Sequence, residues 1–262
     1  MISQLAHVDP SAILGKDVIV HPFAFIDKDV EIGDRCEIFP YASIMKGTRM
    51  GTDNKVYQGA IVSADPQDFR WKGQPTLCYI GNHNVIREHV IINRGITAQG
   101  GTRIDDNVFI MANSHIGHDS HISSNCVLGN GVTIAGDVTV EYGTIISSNA
   151  ILHENVNVGC LTLVKGGCRI ASNVPPFIII AHNPAVYYGV NAIVLGKHAG
   201  YTEEQIDDIA KAYRHIYQSS TSLFNAMTRI ENDIDPSKSR DEILNFIRRN
   251  NNKIAGLRRD LD

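Results

Sequence analysis

The chain has 262 residues, 43% of them hydrophobic, and a formal net charge of −4. That is enough apolar material for a folded core, and the acidic balance, with no basic–aromatic interleaving, argues against nucleic-acid binding. No apolar run reaches the length of a membrane span and the start, MISQLAHVDPSA, lacks a basic-then-apolar signal pattern, so a cytoplasmic protein without membrane insertion is expected.

From Val8 a hydrophobic residue recurs every six positions: Leu14, Val20, Ile26, Ile32, Ile38, Ile44, Met50, Val56 and Val62. The step restarts at Ile80, Ile86 and Ile92, and then runs from Ile104 through Ile116, Ile134 and Leu152 to Ile170. Two residues ahead of each lies a mostly small second tier, such as Ala24, Cys36 and Ala42 early on, and Ser114, Cys126 and Ala150 later. A period of six is neither the 3.6 of an α-helix nor the simple alternation of a strand. It fits a chain that makes a short strand, turns a corner and repeats, which is a parallel β-helix. Gly15, Gly33 and Gly51 each follow an aliphatic residue and lie eighteen apart, which predicts three hexads per coil and a triangular prism of about eight coils. Glycine there answers a turn that needs positive φ or close backbone approach.

The period breaks at 63–79 and at 94–103, polar stretches of which the first holds Trp71. Insertions in a solenoid become loops projecting from one face, and such loops carry function more often than cores do. The five cysteines form no CxxC pair; Cys36, Cys126 and Cys168 fall in the small inward tier and read as reduced core residues.

The repeat ends near Asn173-Val174-Pro175-Pro176, giving a repeat domain over 1–190 and an α-helical domain over 191–262. A capping box at Thr202–Gln205 predicts a helix with Ile206, Ile209, Tyr213, Ile216 and Tyr217 on one face. A second box, Ser239–Glu242, predicts a helix bearing Ile243, Phe246, Ile247 and Ile254. Arg240, Arg248, Arg249, Lys253, Arg258 and Arg259 gather there, either as a solvated face or as a surface that steers an acidic partner.

The candidate chemistry lies in Ser114-His115-Ile116-Gly117-His118-Asp119-Ser120-His121. Ile116 and Ile122 point inward in the hexad frame, so all three histidines lie outside the inward set. They read as zinc ligands, as general bases, or as turn decoration. His118 followed by Asp119 favours a base, because a carboxylate fixes the imidazole tautomer and stabilises its cation. His153, two coils on, falls on the same groove.

The hexad array, the SHIGHDS segment, Ser63-Ala64-Asp65-Pro66-Gln67-Asp68-Phe69, Asn93-Arg94-Gly95, Asn173-Val174-Pro175-Pro176 and Tyr188-Gly189-Val190-Asn191 together resemble the UDP-N-acetylglucosamine O-acyltransferases. The resemblance covers nearly the whole chain. It implies a left-handed β-helix, a homotrimer with active sites between subunits, and transfer of a 3-hydroxyacyl chain from acyl carrier protein to UDP-N-acetylglucosamine in lipid A biosynthesis. It implies no cofactor beyond the carrier's phosphopantetheine. By position, His118 matches the catalytic base, Asp119 its orienting carboxylate, and Gly136 the N–H that stabilises the oxyanion. His115 and His153 match further groove residues, while Asp68, Arg70 and Asn191 match positions that hold the nucleotide sugar. Gly166 matches the position that limits acyl length.

Departures from the family pattern are Asp137 in place of histidine, Glu154 in place of glutamine, and Asn93 in place of histidine. After Asn191 an Arg-rich stretch gives way to Ala-Ile-Val-Leu-Gly-Lys197-His198, which leaves phosphate contacts to Lys197, to His198 or to other residues. Two readings stand beside the O-acyltransferase: N-acylation of a 3-amino UDP-sugar by the same mechanism, and a zinc-dependent, carbonic anhydrase-like β-helix protein with three converging imidazoles. A catalytically silent scaffold is the third.

Overall fold

The computed structural model describes residues 1–97, 100–219, 221–251 and 253–257. The chain winds as a left-handed parallel β-helix of three faces, followed by a helical region. Face one runs from His7–Val8 to Arg169–Ile170, and face two from Ile13–Leu14 to Asn157–Val158. Face three runs from Ile19–Val20 to Ile178–Ala181 and is closed by the antiparallel strand Val186–Val190. The faces hold nine, eight and ten strands, slightly more than the eight coils expected.

Most strands are two residues long, one pointing out and one pointing in. The inward residue is the hexad aliphatic: Ile26, Ile44, Ile116, Ile134 and Leu152 are all fully buried. The small tier fills the corner beside it, with Ala24, Cys36, Ala42, Cys126 and Ala150 at 0–1% exposure. Burial pushes the thiols of Cys78, Cys126 and Cys160 up to about 12, so these cysteines stay protonated and unreactive at neutral pH.

Gly15, Gly33 and Gly51 are explained by close approach alone, since none has a positive φ. A Cβ on Gly33 would lie 2.7 Å from the Gly51 backbone of the next coil. The left-handed residue of each corner falls two places later, at Asp17, Arg35 and Asp53, and again at Asn107, Asp119, Asn125, Asp137, Asn149 and Asn155. Asp and Asn recur there because they tolerate positive φ better than other side chains.

Both insertions leave the corner between faces one and two. The strands Ile61–Ala64 and Cys78–Ile80 absorb the ends of the first, which leaves 65–77 as loop. The strands Ile91–Asn93 and Thr102–Ile104 flank the second. They therefore overhang the same edge of the prism that carries His118.

Four helices follow: α1 (Ala192–His198), α2 (Glu203–Tyr217), α3 (Leu223–Asp233) and α4 (Lys238–Arg249). The Thr202–Gln205 capping box opens α2 as expected. The second expected box is not formed: Ser237 caps α4 by accepting from the Arg240 N–H, Ser239 is buried in the first turn, and Ile254 lies beyond the helix in a bridge with Asn173. Ser237 is the first residue with extended backbone before the turn, which a cap requires. Helix α2 docks through Tyr213, whose hydroxyl donates to the Pro176 carbonyl at 2.5 Å, and through Tyr217 stacked on Tyr187 at 4.4 Å. Arg240, Arg248 and Arg249 are each paired with acids, Asp241, Glu231, and Glu141 with Glu242, so the expected basic cluster is largely neutralised. Arg258 and Arg259 lie outside the described residues. Among the described residues no helix is long and apolar enough to cross a membrane.

Replacing Gly33 by alanine should lower unfolding free energy by about 1–3 kcal/mol, as over-packing does in a close-packed interior. Urea denaturation of the two proteins measures it.

Candidate active site

Residues eighteen apart stack in columns along the prism, and one column at the corner between faces one and two holds the chemistry. His118, Gly136 and Glu154 each lie two residues after an inward aliphatic, Ile116, Ile134 and Leu152, on successive strands of face one. A Cβ on Gly136 would sit 2.3 Å from His118 Cε1 and 2.4 Å from Nε2. The Cε1–Nε2 side of the imidazole therefore occupies the space a Gly136 Cβ would fill, and only glycine leaves it free.

His118 is 7% exposed and is held from both sides. Its Nδ1 lies 3.0 Å from Asp119 Oδ2, and since a carboxylate only accepts, Nδ1 carries the proton of that bond. The same Oδ2 accepts from the Ile96 N–H of the second insertion at 2.9 Å, while the Asp119 N–H donates to Thr102 Oγ1. Asp119 thus owes its place to two things, a left-handed turn at φ 56° and anchoring by the second insertion. Nδ1 protonation leaves Nε2 as the basic nitrogen.

Nε2 faces Asp68 Oδ2 at 3.4 Å. Asp68 belongs to the first insertion and is bound in bidentate fashion by Arg70, Nε to Oδ1 at 3.0 Å and Nη2 to Oδ2 at 2.8 Å. The same Nη2 donates to Glu154 Oε1 at 2.8 Å. The Arg70 guanidinium holds the Asp68 carboxyl well below the usual carboxylate range. Phe69, between them, points into solvent at 96% exposure. Asp137, in the next coil at φ 57°, is pushed up by burial and by the negative charge of Asp119.

The equivalent turn position on the corner after face two often spends its N–H within the protein. The N–H of Lys16, Thr52 and Asn82 at that position donates to a side chain of the following coil, Asp34, Asn82 and Asp106 respectively, at 2.6–2.8 Å. Among the described residues no group accepts from the Gly136 N–H, which leaves a donor beside His118 for a ligand oxygen.

The other expected residues are dispersed. His115 Nε2 donates to Asn93 Oδ1 at 2.7 Å, and burial, with the charge of His118, lowers its pKa. His121 lies on face two and pairs with Asp105 at 2.9 Å. The three histidines of the motif therefore do not converge within the chain, which does not favour the tetrahedral zinc reading. His153 takes part in a separate cavity of about 610 Å³ with Arg169, Pro184 and Lys253, with Arg169 Nη2 3.3 Å from its Nε2. Gly166 is exposed on the corner between faces three and one. Asn191 is buried, its Nδ2 donating to the Leu161 carbonyl at 2.9 Å, while Lys197 and His198 end α1 in solvent. Arg94 was not foreseen: it is 2% exposed, donates to the Ser63 carbonyl and pairs with Asp65, and lies 5.2 Å from the Trp71 ring centre. Nothing in the hexad pattern signals it. The left-handed column of Asp119 and Asp137 was legible in principle, as an Asp/Asn/Gly tier three residues after each aliphatic.

Gly136→Ala should displace the His118 ring and lower turnover on the order of 10²-fold, the scale of a 1 Å misplacement, with the fold intact by circular dichroism. His115 supplies a pH test. Its folded pKa is depressed from 6.5, so its contribution to stability is complete above pH 6.5 and declines as pH falls from there through the lowered value. His115→Gln should flatten that part of the profile of Tm against pH.

Comparison with known proteins places this geometry. Residues 173–256 match the second domain of the UDP N-acetylglucosamine O-acyltransferases, and residues 101–136 match the six-repeat bacterial transferase hexapeptide family. An acyl-[acyl-carrier-protein]–UDP-N-acetylglucosamine O-acyltransferase of Campylobacter concisus is 35% identical over 224 residues, covering 85% of each chain. The crystal structure of a UDP-N-acetylglucosamine acyltransferase from Bacteroides fragilis superposes with a TM-score of 0.94 at 39% identity, covering 99% of this chain and 100% of that one. The enzyme from Francisella novicida gives 0.92 at 30% identity, covering 100% and 95%. A left-handed hexapeptide prism with this sequence kinship means that the chain belongs to the UDP-N-acetylglucosamine O-acyltransferase family.

Proposed function

We propose that the chain transfers a 3-hydroxyacyl group from acyl carrier protein to the 3-hydroxyl of UDP-N-acetylglucosamine, the opening step of lipid A biosynthesis, with His118 as general base. The observation that carries the assignment of roles is the pairing of His118 Nδ1 with Asp119 at 3.0 Å beside the unspent Gly136 N–H. The acceptor hydroxyl gives its proton to Nε2 as its oxygen attacks the thioester carbonyl carbon. Asp119 stabilises the resulting imidazolium. The carbonyl oxygen becomes an oxyanion that accepts from the Gly136 N–H, a contribution of roughly 10²–10³ in rate for a donor of this type. When the carbon–sulfur bond breaks, the imidazolium returns its proton to the carrier thiolate and the ester is released. The acyl group arrives on the carrier's phosphopantetheine, and no further cofactor is needed.

O-acylation is named for the Campylobacter concisus relative, and the N-acylation reading is set aside with it. Asp68 and Arg70 hold the nucleotide sugar over His118, and Asp137 and Glu154 line the same edge. His115 and His153 flank it.

Buried Asn191 fastens the start of α1 to Leu161, while Gly166, Lys197 and His198 act from a neighbouring subunit in a homotrimer. What supports this is the character of the faces. Face three turns out Phe109, Val127, Ile145 and Leu163, all half-buried in the single chain, whereas face two turns out Glu31, Arg49, Arg103 and His121. Apolar outward rows call for a partner surface. With three arginines of the helical region already paired, docking of the acidic carrier falls to the remaining cations, Lys197 and Lys253 among them. The protein works in the cytoplasm, where its carrier-bound substrate is made.

His118→Gln should reduce kcat/KM for UDP-N-acetylglucosamine by 10²-fold or more at unchanged Tm, as loss of a general base requires. Retention of wild-type rates would contradict the assignment.

A further inference from the structure

We propose that Arg70 and Glu154 form a latch that fastens the first insertion over His118, and that Glu154 is a positioning residue acting through Arg70 without touching substrate. The proposal rests on the reading of His118 as the base, and it departs from the grouping of Glu154 with the sugar-binding positions.

The span of the contact is its first support. The insertion leaves face one after Ala64, and Glu154 follows Leu152 on that same face, four strands farther along. At about 4.8 Å per strand step that is roughly 19 Å. Corner contacts elsewhere in the prism join adjacent coils, as Lys16 to Asp34 and Arg35 to Asp53. Arg70 and Glu154 are 84 residues apart and bonded at 2.8 Å. The insertion therefore lies down the groove across His118 and Gly136 and is tied at its far side.

Electrostatics supplies the second. Asp68, His118 and Glu154 each present one polar atom within 4.8 Å of the others. Two carboxylates at that separation repel, and closure needs a cation between them. A single guanidinium nitrogen, Arg70 Nη2, serves both at 2.8 Å. A glutamine at 154 would accept a bond from Arg70 but would bring no charge to it.

Closure has a cost for turnover. It leaves His118 at 7% exposure and sets Asp68 Oδ2 3.4 Å from Nε2, the place an acceptor hydroxyl must occupy. The loop has to lift for the acceptor and settle again over it. Arg70 and Glu154 side chains are 56% and 46% exposed, so the pair is screened by solvent and salt and is weak enough to open repeatedly. The charged and titratable groups around His118 are Asp119 and His115 from its own coil, Asp137 from the next, Asp68 and Arg70 from the insertion, and Glu154.

The test uses the full chain with Glu154→Gln, Arg70→Gln and the double variant. Trp71 is the only tryptophan and adjoins Arg70, so acrylamide quenching of its fluorescence reports on the insertion whether or not the enzyme turns over. Quenching should rise equally in both single variants and no further in the double variant. In Glu154→Gln, kcat/KM should fall on the order of tenfold, and adding Glu154→Gln to Arg70→Gln, which already loses its hold on the sugar, should lower it no further. Wild-type quenching in Glu154→Gln would overturn the latch. So would additive losses in kcat/KM, which would mean that Glu154 meets substrate directly. A wild-type protein that produced no acylated sugar would sink the functional reading instead, and quenching would still decide the latch.

Discussion

The structure depends on the stacking of near-identical corners at a pitch of one coil. Parallel strands that bond to the strand eighteen residues on place position n over position n + 18, and the backbones at the corners then approach within van der Waals contact. A residue there is either small or displaces its neighbour. The same constraint that makes Gly33 lie against Gly51 makes Gly136 lie under the His118 ring. A fold rule has thus become a catalytic arrangement: the base rests on a backbone whose N–H is unspent, and rigid strands on either side hold both within the tolerance that catalysis demands.

The site is otherwise a problem of charge. Four carboxylates, Asp68, Asp119, Asp137 and Glu154, surround one imidazole and one guanidinium. Each is managed differently. Asp119 is oriented by a backbone N–H and serves the imidazole, Asp68 and Glu154 share Arg70, and burial pushes Asp137 toward its neutral form. The insertions are what make this possible, because only they bring side chains from distant coils onto one corner. A solenoid without them would hold its residues in fixed columns and could not close over a substrate.

How much of this was legible follows from the same physics. The six-residue period is a direct imprint of inward packing, so the prism, its core aliphatics and its two insertions could be read before any coordinates. The hand could not, since periodicity is the same in a mirror image, and it came from resemblance. The His118–Asp119 pair was readable because both partners are adjacent in the chain. Arg70–Glu154 and Arg94–Asp65 were not, because no local pattern records where a loop lies down. The cap of α4 was misplaced by two residues because Ser237 and Ser239 are both good caps, and only the backbone decides between them.

The central claim is that this corner acylates a sugar nucleotide, and the product itself tests it most directly. Purified wild-type protein, mixed with UDP-N-acetylglucosamine and a series of 3-hydroxyacyl carrier proteins, is followed by mass spectrometry. The account expects the sugar nucleotide to gain the mass of one acyl chain, joined as an ester at the 3-oxygen. A folded protein that yields no acylated sugar nucleotide from any donor would contradict it.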